Sequence, residues 1–198
     1  MKIICLDTET GGTTPDLSLL TVSVGLYELL FHPDGRVTHN RITVLSLKTK
    51  PNEGQPFVIQ AEALKVNGIR DLVAHADAAS TYSAAQIELH RWLAIQKSRI
   101  GNRLTLLGQR IDFDVSFVQE QLGYDQREWN RLVDPRTIDL ISLSRTAQVM
   151  GKLPEGKVDL DTLLEFFGYP PRGEHTSDED IDVTVALYCD ILQLIQKK

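Results

Sequence analysis

The sequence has few cysteines, no long apolar run and no excess of basic residues. Its two cysteines, Cys5 and Cys189, disfavour a disulfide framework, and we expect a reducing compartment, the cytoplasm. No stretch approaches the roughly 18 consecutive apolar residues of a membrane-spanning helix, and no export signal is recognisable, so no membrane association is expected. The net charge of −6 argues against wrapping long duplex nucleic acid, which requires many Lys and Arg residues.

The composition is that of an ordinary globular protein, with 42% hydrophobic and 24% charged residues in 198 positions. These values predict one domain over residues 1–198. Strands are predicted at 3–6, 19–31, 36–47 and 103–107, and the turn sequence at 32–35 indicates an antiparallel hairpin. A mixed sheet is therefore expected. Predicted helices cover 61–65, a segment with Ser83 and Gln86 in capping-box spacing, 113–122, 138–150, 159–167 and a last helix from about 177.

The first predicted strand ends in two acids, Asp7 and Glu9, directly before Gly11 and Gly12. Residues i and i+2 of a strand point to the same face, so both carboxylates are expected to project together. Two like charges held this close repel each other unless a cation lies between them. The pair therefore indicates a metal site, although acids at this spacing often lie in solvated turns. The same spacing recurs at Asp112/Asp114, Asp159/Asp161, Asp178/Asp180 and Asp180/Asp182.

Two later segments carry the remaining candidate residues. Asp114 follows a predicted strand that ends at Gly108, and it belongs to a Phe-Asp-x-x-Phe pattern with Phe113 and Phe117. Near the end of the chain, His175 precedes a group of acids at the start of the last predicted helix, where the helix dipole favours any acid. Helical periodicity alone does not choose among these acids, which are Asp178, Glu179, Asp180 and Asp182.

Together the three segments resemble the three motifs of the DEDD 3′→5′ exonuclease superfamily, in its histidine-bearing branch. This family includes polymerase proofreading subunits, ribonuclease T and oligoribonuclease. Residues 61–69 and 159–163 also resemble its connecting segments, so the resemblance spans nearly the whole chain. It implies an α/β, ribonuclease-H-like fold with a mixed central sheet flanked by helices. The tyrosine-bearing branch has Tyr where Thr176 stands, so the histidine branch is favoured.

The resemblance implies that four acids bind two divalent ions, Mg²⁺ or Mn²⁺, and that His175 is the general base. Such an ion pair can activate water and stabilise the leaving 3′ oxygen, while an imidazole with an ordinary pKa of about 6.5 accepts the proton. The aromatic pattern selects Asp114 over Asp112, and the four-residue gap after His175 selects Asp180. The implied catalytic metal ligands are Asp7, Glu9, Asp114 and Asp180.

Substrate contacts are expected around the first two motifs, at Thr8, Thr10, Gly12, Thr13, Arg110 and Phe117. Two of these positions depart from the family pattern. The family commonly has Asn where Arg110 stands, and it has a bulky apolar residue, which wedges against the terminal base, where Thr13 stands. The expected partner is the 3′ end of single-stranded nucleic acid, with DNA slightly favoured over RNA and nucleoside monophosphate as the product. Both a homodimer and a polymerase-associated subunit are compatible with the family.

Two alternatives remain open at this point. Asp7-x-Glu9-Thr10 after a first strand faintly resembles the nucleophile motif of haloacid-dehalogenase-like phosphatases, in which a second Asp stands at the position of Glu9. Those enzymes also need a strand-end Lys, a later Gly-Asp motif and a parallel sheet. The other alternative is a non-catalytic module that keeps an exonuclease fold for binding a partner. The intact set of five catalytic positions argues against it.

Overall fold

The structure, a computed structural model, describes residues 1–67, 69–172 and 176–196. Its strands are β1 Lys2–Thr10, β2 Leu19–Phe31, β3 Val37–Lys50, β4 Ser80–Thr81, β5 Leu106–Gly108 and β6 Ile138–Asp139. They form one sheet in the order β4-β3-β2-β1-β5-β6. The first three strands pair antiparallel, whereas β4, β5 and β6 lie parallel to their neighbours. The predicted hairpin and mixed sheet are confirmed.

Eight helices are described, and most of them lie where the sequence predicts. They are α1 Ala61–Val66, α2 Leu72–Ala78, α3 Tyr82–Ile100, α4 Ile111–Leu122, α5 Gln126–Leu132, α6 Leu140–Val149, α7 Leu160–Phe167 and α8 Ser177–Gln196. The helices α2 and α5 were not predicted because seven residues are too few to show a periodic apolar face. None of the described helices combines the length and apolar character needed to cross a membrane.

Two predicted helix starts are wrong. The cap of α3 is Thr81, whose hydroxyl accepts a hydrogen bond from the amide of Ala84 (3.4 Å), so the expected capping box at Ser83 does not form. The hydroxyl of Ser83 donates to Asn52 instead. Residues 138–139 form β6 rather than the start of a helix, because Asp139 caps α6 by accepting from the amide of Ser142 (2.8 Å).

The central strand β1 is buried on both faces, and this explains its continuous apolar run. Ile4 and Leu6 pack with α3, α4 and α5 on one face of the sheet. Ile3 and Cys5 pack with α6, α7 and α8 on the other. A strand buried on both faces is held rigidly. The residues at its carboxyl end, Asp7 and Glu9, are thereby held rigidly at the border between the core and solvent.

The junction between β5 and α4 contains a backbone conformation that most residues avoid. Arg110 has φ 59° and ψ 45°, and it is the one non-glycine residue with positive φ in the described part of the chain. Its guanidinium lies 5.4 Å from the centre of the Phe113 ring. This left-handed conformation costs an L-residue about 1–2 kcal/mol, although Asn and Gly adopt it readily. The Asn that the family commonly has at this position is consistent with that requirement.

We expect Arg110→Gly to be more stable than Arg110→Ala by about 1 kcal/mol, since only glycine adopts positive φ without strain. Both variants remove the guanidinium contact with Phe113 equally, so the comparison isolates the backbone. Urea denaturation of the two variants measures the difference. Equal midpoints would contradict the left-handed conformation at this junction.

Candidate metal centre and active site

Acids from three distant parts of the chain meet at the carboxyl end of β1. Asp7 and Glu9 project from the same face of the strand, and the first turn of α8 places Asp180 opposite them. One carboxylate oxygen from each of Asp7, Glu9 and Asp180 lies within 4.8 Å of the others. Asp114, from the first turn of α4, is buried beside them and raises the pKa of both Asp7 and Glu9. Three of the four predicted metal ligands therefore meet, and the fourth, Asp114, lies near enough for its charge to act on two of them. Their binding of a metal remains a prediction.

The electrostatics of this cluster favour binding of cations. Burial raises the pKa of Asp7 well above its ordinary value, and the charges of Asp114, Asp180 and Glu9 raise it further. Burial and the charges of Asp180 and Asp114 raise the pKa of Glu9 to about 8. Burial also raises the pKa of Asp114 to about 7, although hydrogen bonds from Thr8 oppose this shift. The repulsion between clustered carboxylates is reduced when they bind either protons or divalent cations. A set of donors made up only of oxygen atoms suits Mg²⁺ or Mn²⁺.

Tertiary contacts decide which acid of the third motif belongs to the site. Asp180 faces the cluster and is buried. Asp182, two residues further along α8, accepts hydrogen bonds from the Tyr27 hydroxyl (2.6 Å) and from Nη1 of Arg41 (2.8 Å). Asp178 contacts the same guanidinium at 3.5 Å. The geometry thus agrees with the choice of Asp180 that the sequence spacing favours.

The second motif shows the same division between its two acids. Asp114 is buried, and one of its oxygens accepts hydrogen bonds from the amide (3.0 Å) and the hydroxyl (2.7 Å) of Thr8. Asp112 is exposed on the same helix, as predicted. The amide and the hydroxyl of Thr8 both donate to Asp114, so Thr8 holds this predicted metal ligand in place. The predicted general base, His175, lies outside the described residues.

The turn after Glu9 is tightly packed. The hydroxyl of Thr10 donates to the carbonyl of Gly12 (2.7 Å), and the carbonyl of Thr10 accepts from the side-chain amide of Asn67 (2.8 Å). A Cβ added to Gly12 would lie 2.7 Å from Oε1 of Gln60 and would also collide with Leu17. A side chain at this position would have to displace both Gln60 and Leu17 and would strain the backbone, whose φ is 158°. The contacts of Thr10 and Gly12 with a substrate remain predictions.

One predicted substrate contact is wrong. Phe117 is 0% exposed in the core between the sheet and α4, so its side chain cannot contact a bound strand. The neighbouring aromatic residue of the same pattern, Phe113, is partly buried and packs on Phe117 with ring centres 4.9 Å apart. Thr13 and Arg110 are exposed and accessible to a substrate, and their roles also remain predictions.

Sequence reasoning missed one charged residue in the site. Arg172 donates from Nη1 to Oδ1 of Asp180 (2.6 Å) and from Nε to Oδ1 of Asp161 (2.8 Å). Asp161 belongs to one of the acid-x-acid pairs in the sequence, but nothing in the spacing indicated that Asp161 and Asp180 share one arginine. The only available signal was a basic residue in the segment that precedes His175.

A cavity of about 440 Å³ adjoins Glu9 and extends over β2 and β3. Hydroxyl groups line its floor: Ser177 lies within hydrogen-bond distance of Thr21 (2.9 Å) and Ser23 (2.8 Å). Lys48 and Arg70 also border it. The cavity is large enough for a nucleotide-sized ligand and lies next to the carboxylate cluster.

Solved exonuclease structures have the same fold. The zinc-bound complex of E. coli exonuclease I with single-stranded DNA has a TM-score of 0.72 at 20% identity, and the match covers 95% of this chain and 40% of that one. The E. coli exonuclease I complex with a dT13 oligonucleotide gives 0.71 at 18% identity, with 96% and 40% covered. A 3′-exonuclease that recognises the histone mRNA stem-loop gives 0.65 at 15% identity, with 97% and 63% covered.

These likenesses establish the fold. The chain spans about two fifths of the length of the exonuclease I structures. No protein-family model and no curated protein matches its sequence. The predicted ribonuclease-H-like α/β fold is nevertheless confirmed, and the mixed sheet contradicts the phosphatase alternative, which requires a parallel sheet around the first strand.

Proposed function

We propose that residues 1–198 form one metal-dependent 3′→5′ exonuclease domain of the DEDD superfamily, in its histidine-bearing branch. The domain releases nucleoside monophosphates from the 3′ end of single-stranded nucleic acid, with DNA preferred. The observation that carries this proposal is the meeting of Asp7, Glu9 and Asp180 oxygens within 4.8 Å at the end of a buried strand, with Asp114 beside them.

The four acids are suited to hold two divalent ions. Bound Mg²⁺ or Mn²⁺ would activate the attacking water and neutralise charge on the scissile phosphate. Thr8 holds Asp114 with two hydrogen bonds, and these keep this proposed metal ligand oriented while one substrate end replaces another. His175 is the proposed general base, because the resemblance to the histidine-bearing branch places that branch's histidine at this position, five residues before Asp180. An imidazole with an ordinary pKa of about 6.5 accepts a proton from water at neutral pH.

The surroundings of the site favour a strand end over a long duplex. The cavity of about 440 Å³ next to Glu9 accommodates a single nucleotide unit rather than a helix. Thr10 and Gly12, together with Thr13 and Arg110, form the proposed contact surface for the terminal nucleotide, whereas the amide and the hydroxyl of Thr8 are engaged with Asp114. Neighbouring structures include complexes with single-stranded DNA and with an mRNA stem-loop, so both sugar types require testing. Both a homodimer and an association with a polymerase are compatible with this proposal.

The test uses 5′-labelled single-stranded DNA and RNA of matched sequence, with Mg²⁺ or Mn²⁺ and then with EDTA. We expect products that shorten stepwise from the 3′ end, release of mononucleotides, and complete loss of both with EDTA. A second assay supplies para-nitrophenyl phosphate. Hydrolysis of that compound alone would support a phosphatase, and inertness toward every substrate would support a binding module, so either result would overturn the proposal.

A further inference from the structure

Arg172 places a positive charge at the edge of the carboxylate cluster. Its side chain is only 12% exposed, although it is among the longest and most polar side chains in proteins. One guanidinium nitrogen lies 2.6 Å from Asp180, whose side chain is 9% exposed, and another lies 2.8 Å from Asp161 at the start of α7. Two carboxylates from two helices thus hold the guanidinium beside the site.

The charge of Arg172 acts beyond its two hydrogen-bond partners. It lowers the pKa of Asp7 and of Glu9, opposing the increase that burial and the other acids cause. Arg41 provides an internal comparison, because it also pairs with acids of α8. Its partners Asp178 and Asp182 are not in the group of acids whose oxygens lie within 4.8 Å of one another, and its own side chain is 39% exposed.

Because of its position, Arg172 would compete with a bound divalent cation for the carboxylate of Asp180. Oδ1 of Asp180 accepts a hydrogen bond from Arg172, and an oxygen of the same carboxylate also lies within 4.8 Å of the Asp7 and Glu9 oxygens. A divalent ion that binds these three acids must therefore share Asp180 with a guanidinium. At such distances, a fixed positive charge repels a divalent cation by an amount that solvent only partly screens.

We propose that Arg172 is the built-in counter-ion of the carboxylate site, which holds Asp180 in place before a divalent cation binds and weakens the binding of that cation. This inference deepens the proposed function, because it assigns a control of metal occupancy to the same site. It predicts that removing the charge tightens metal binding. If Arg172 only held Asp180 in place, its removal would instead weaken metal binding, because Asp180 would become disordered.

The experiment measures Mn²⁺ affinity by calorimetry and by electron paramagnetic resonance, without nucleic acid and at fixed pH and ionic strength. Arg172→Met, which keeps the length of the side chain and removes its charge, should bind Mn²⁺ about tenfold more tightly than the natural protein. Arg172→Lys keeps the charge, although it lacks the second donor of the fork, and should not show this tightening. Arg41→Met is the matched control, because it removes an arginine that pairs with the same helix outside the cluster, and its Mn²⁺ affinity should be unchanged.

Arg172→Gln provides a second uncharged variant should Arg172→Met fail to fold, since glutamine can still donate to a carboxylate. It should show the same tightening of Mn²⁺ binding. Unchanged or weaker affinity in the uncharged variants, or equal tightening in Arg41→Met, would overturn the proposal. Because nucleic acid is absent, a chain that binds Mn²⁺ as expected but hydrolyses nothing would refute the proposed function and leave this inference standing.

Discussion

Replacing Asp7 with Asn should lower the rate of 3′-end hydrolysis by roughly 10³-fold, the scale of losing one preorganised electrostatic group. Asp7 experiences repulsion from every other acid of the cluster, because the charges of Asp114, Asp180 and Glu9 all raise its pKa. Asparagine has almost the same shape, but it cannot carry the negative charge that a divalent ion requires. The fold should survive, since the substitution removes one of the repelling charges rather than a packing group.

Single-turnover rates on a labelled oligonucleotide measure this loss, and circular dichroism checks the fold. The matched control is Asp112→Asn, which makes the same chemical change at an exposed acid only two positions from Asp114. It should retain hydrolysis close to that of the natural protein. Comparable rates in Asp7→Asn and Asp112→Asn would show that the carboxylate cluster is not the catalytic centre.

The metal-free protein should lose stability as the pH rises from about 4.5 to 8, and Mg²⁺ should restore it. The pKa of Glu9 is about 8 and that of Asp114 about 7 in the folded chain, against ordinary values of 4.5 and 3.8. Since these values are raised on folding, the unfolded chain releases its protons at lower pH than the folded chain. The stability that these two protonated acids contribute to the folded chain is therefore fully present below their ordinary pKa values. It decreases as the pH rises toward the folded pKa values, by at most about 1.4 kcal/mol per pH unit for each proton.

Thermal denaturation at pH 5, 6, 7 and 8, with EDTA or with Mg²⁺, measures this dependence. With EDTA the melting temperature should fall across the series, while with Mg²⁺ it should change much less, because the ion neutralises the ionised acids. Asp7→Asn should flatten the EDTA series, whereas Asp112→Asn should follow the natural protein. A melting temperature that rises with pH in EDTA would mean that the acids are not clustered in solution.

Local patterns in the sequence predicted the elements that matter most for the site. The alternating and turn residues from 19 to 47 indicated the hairpin, and the Phe-Asp-x-x-Phe pattern indicated α4 and selected Asp114 over Asp112. The same pattern led to an error at Phe117, because an aromatic residue near a motif can equally serve the core. Periodicity also could not reveal α2 or α5, each only seven residues long.

The sequence by itself determined which chemical groups are present and how they are spaced. It has two acids at the end of an apolar strand, a third that is the Asp of the Phe-Asp-x-x-Phe pattern, and a group of acids on the last helix. Only the tertiary structure decided that Asp180 faces the cluster while Asp182 pairs with Tyr27 and Arg41, and that Arg172 reaches Asp180. The physical reason is that side-chain direction along one helix is local, whereas the partner of each acid is set by how α8 packs across the sheet.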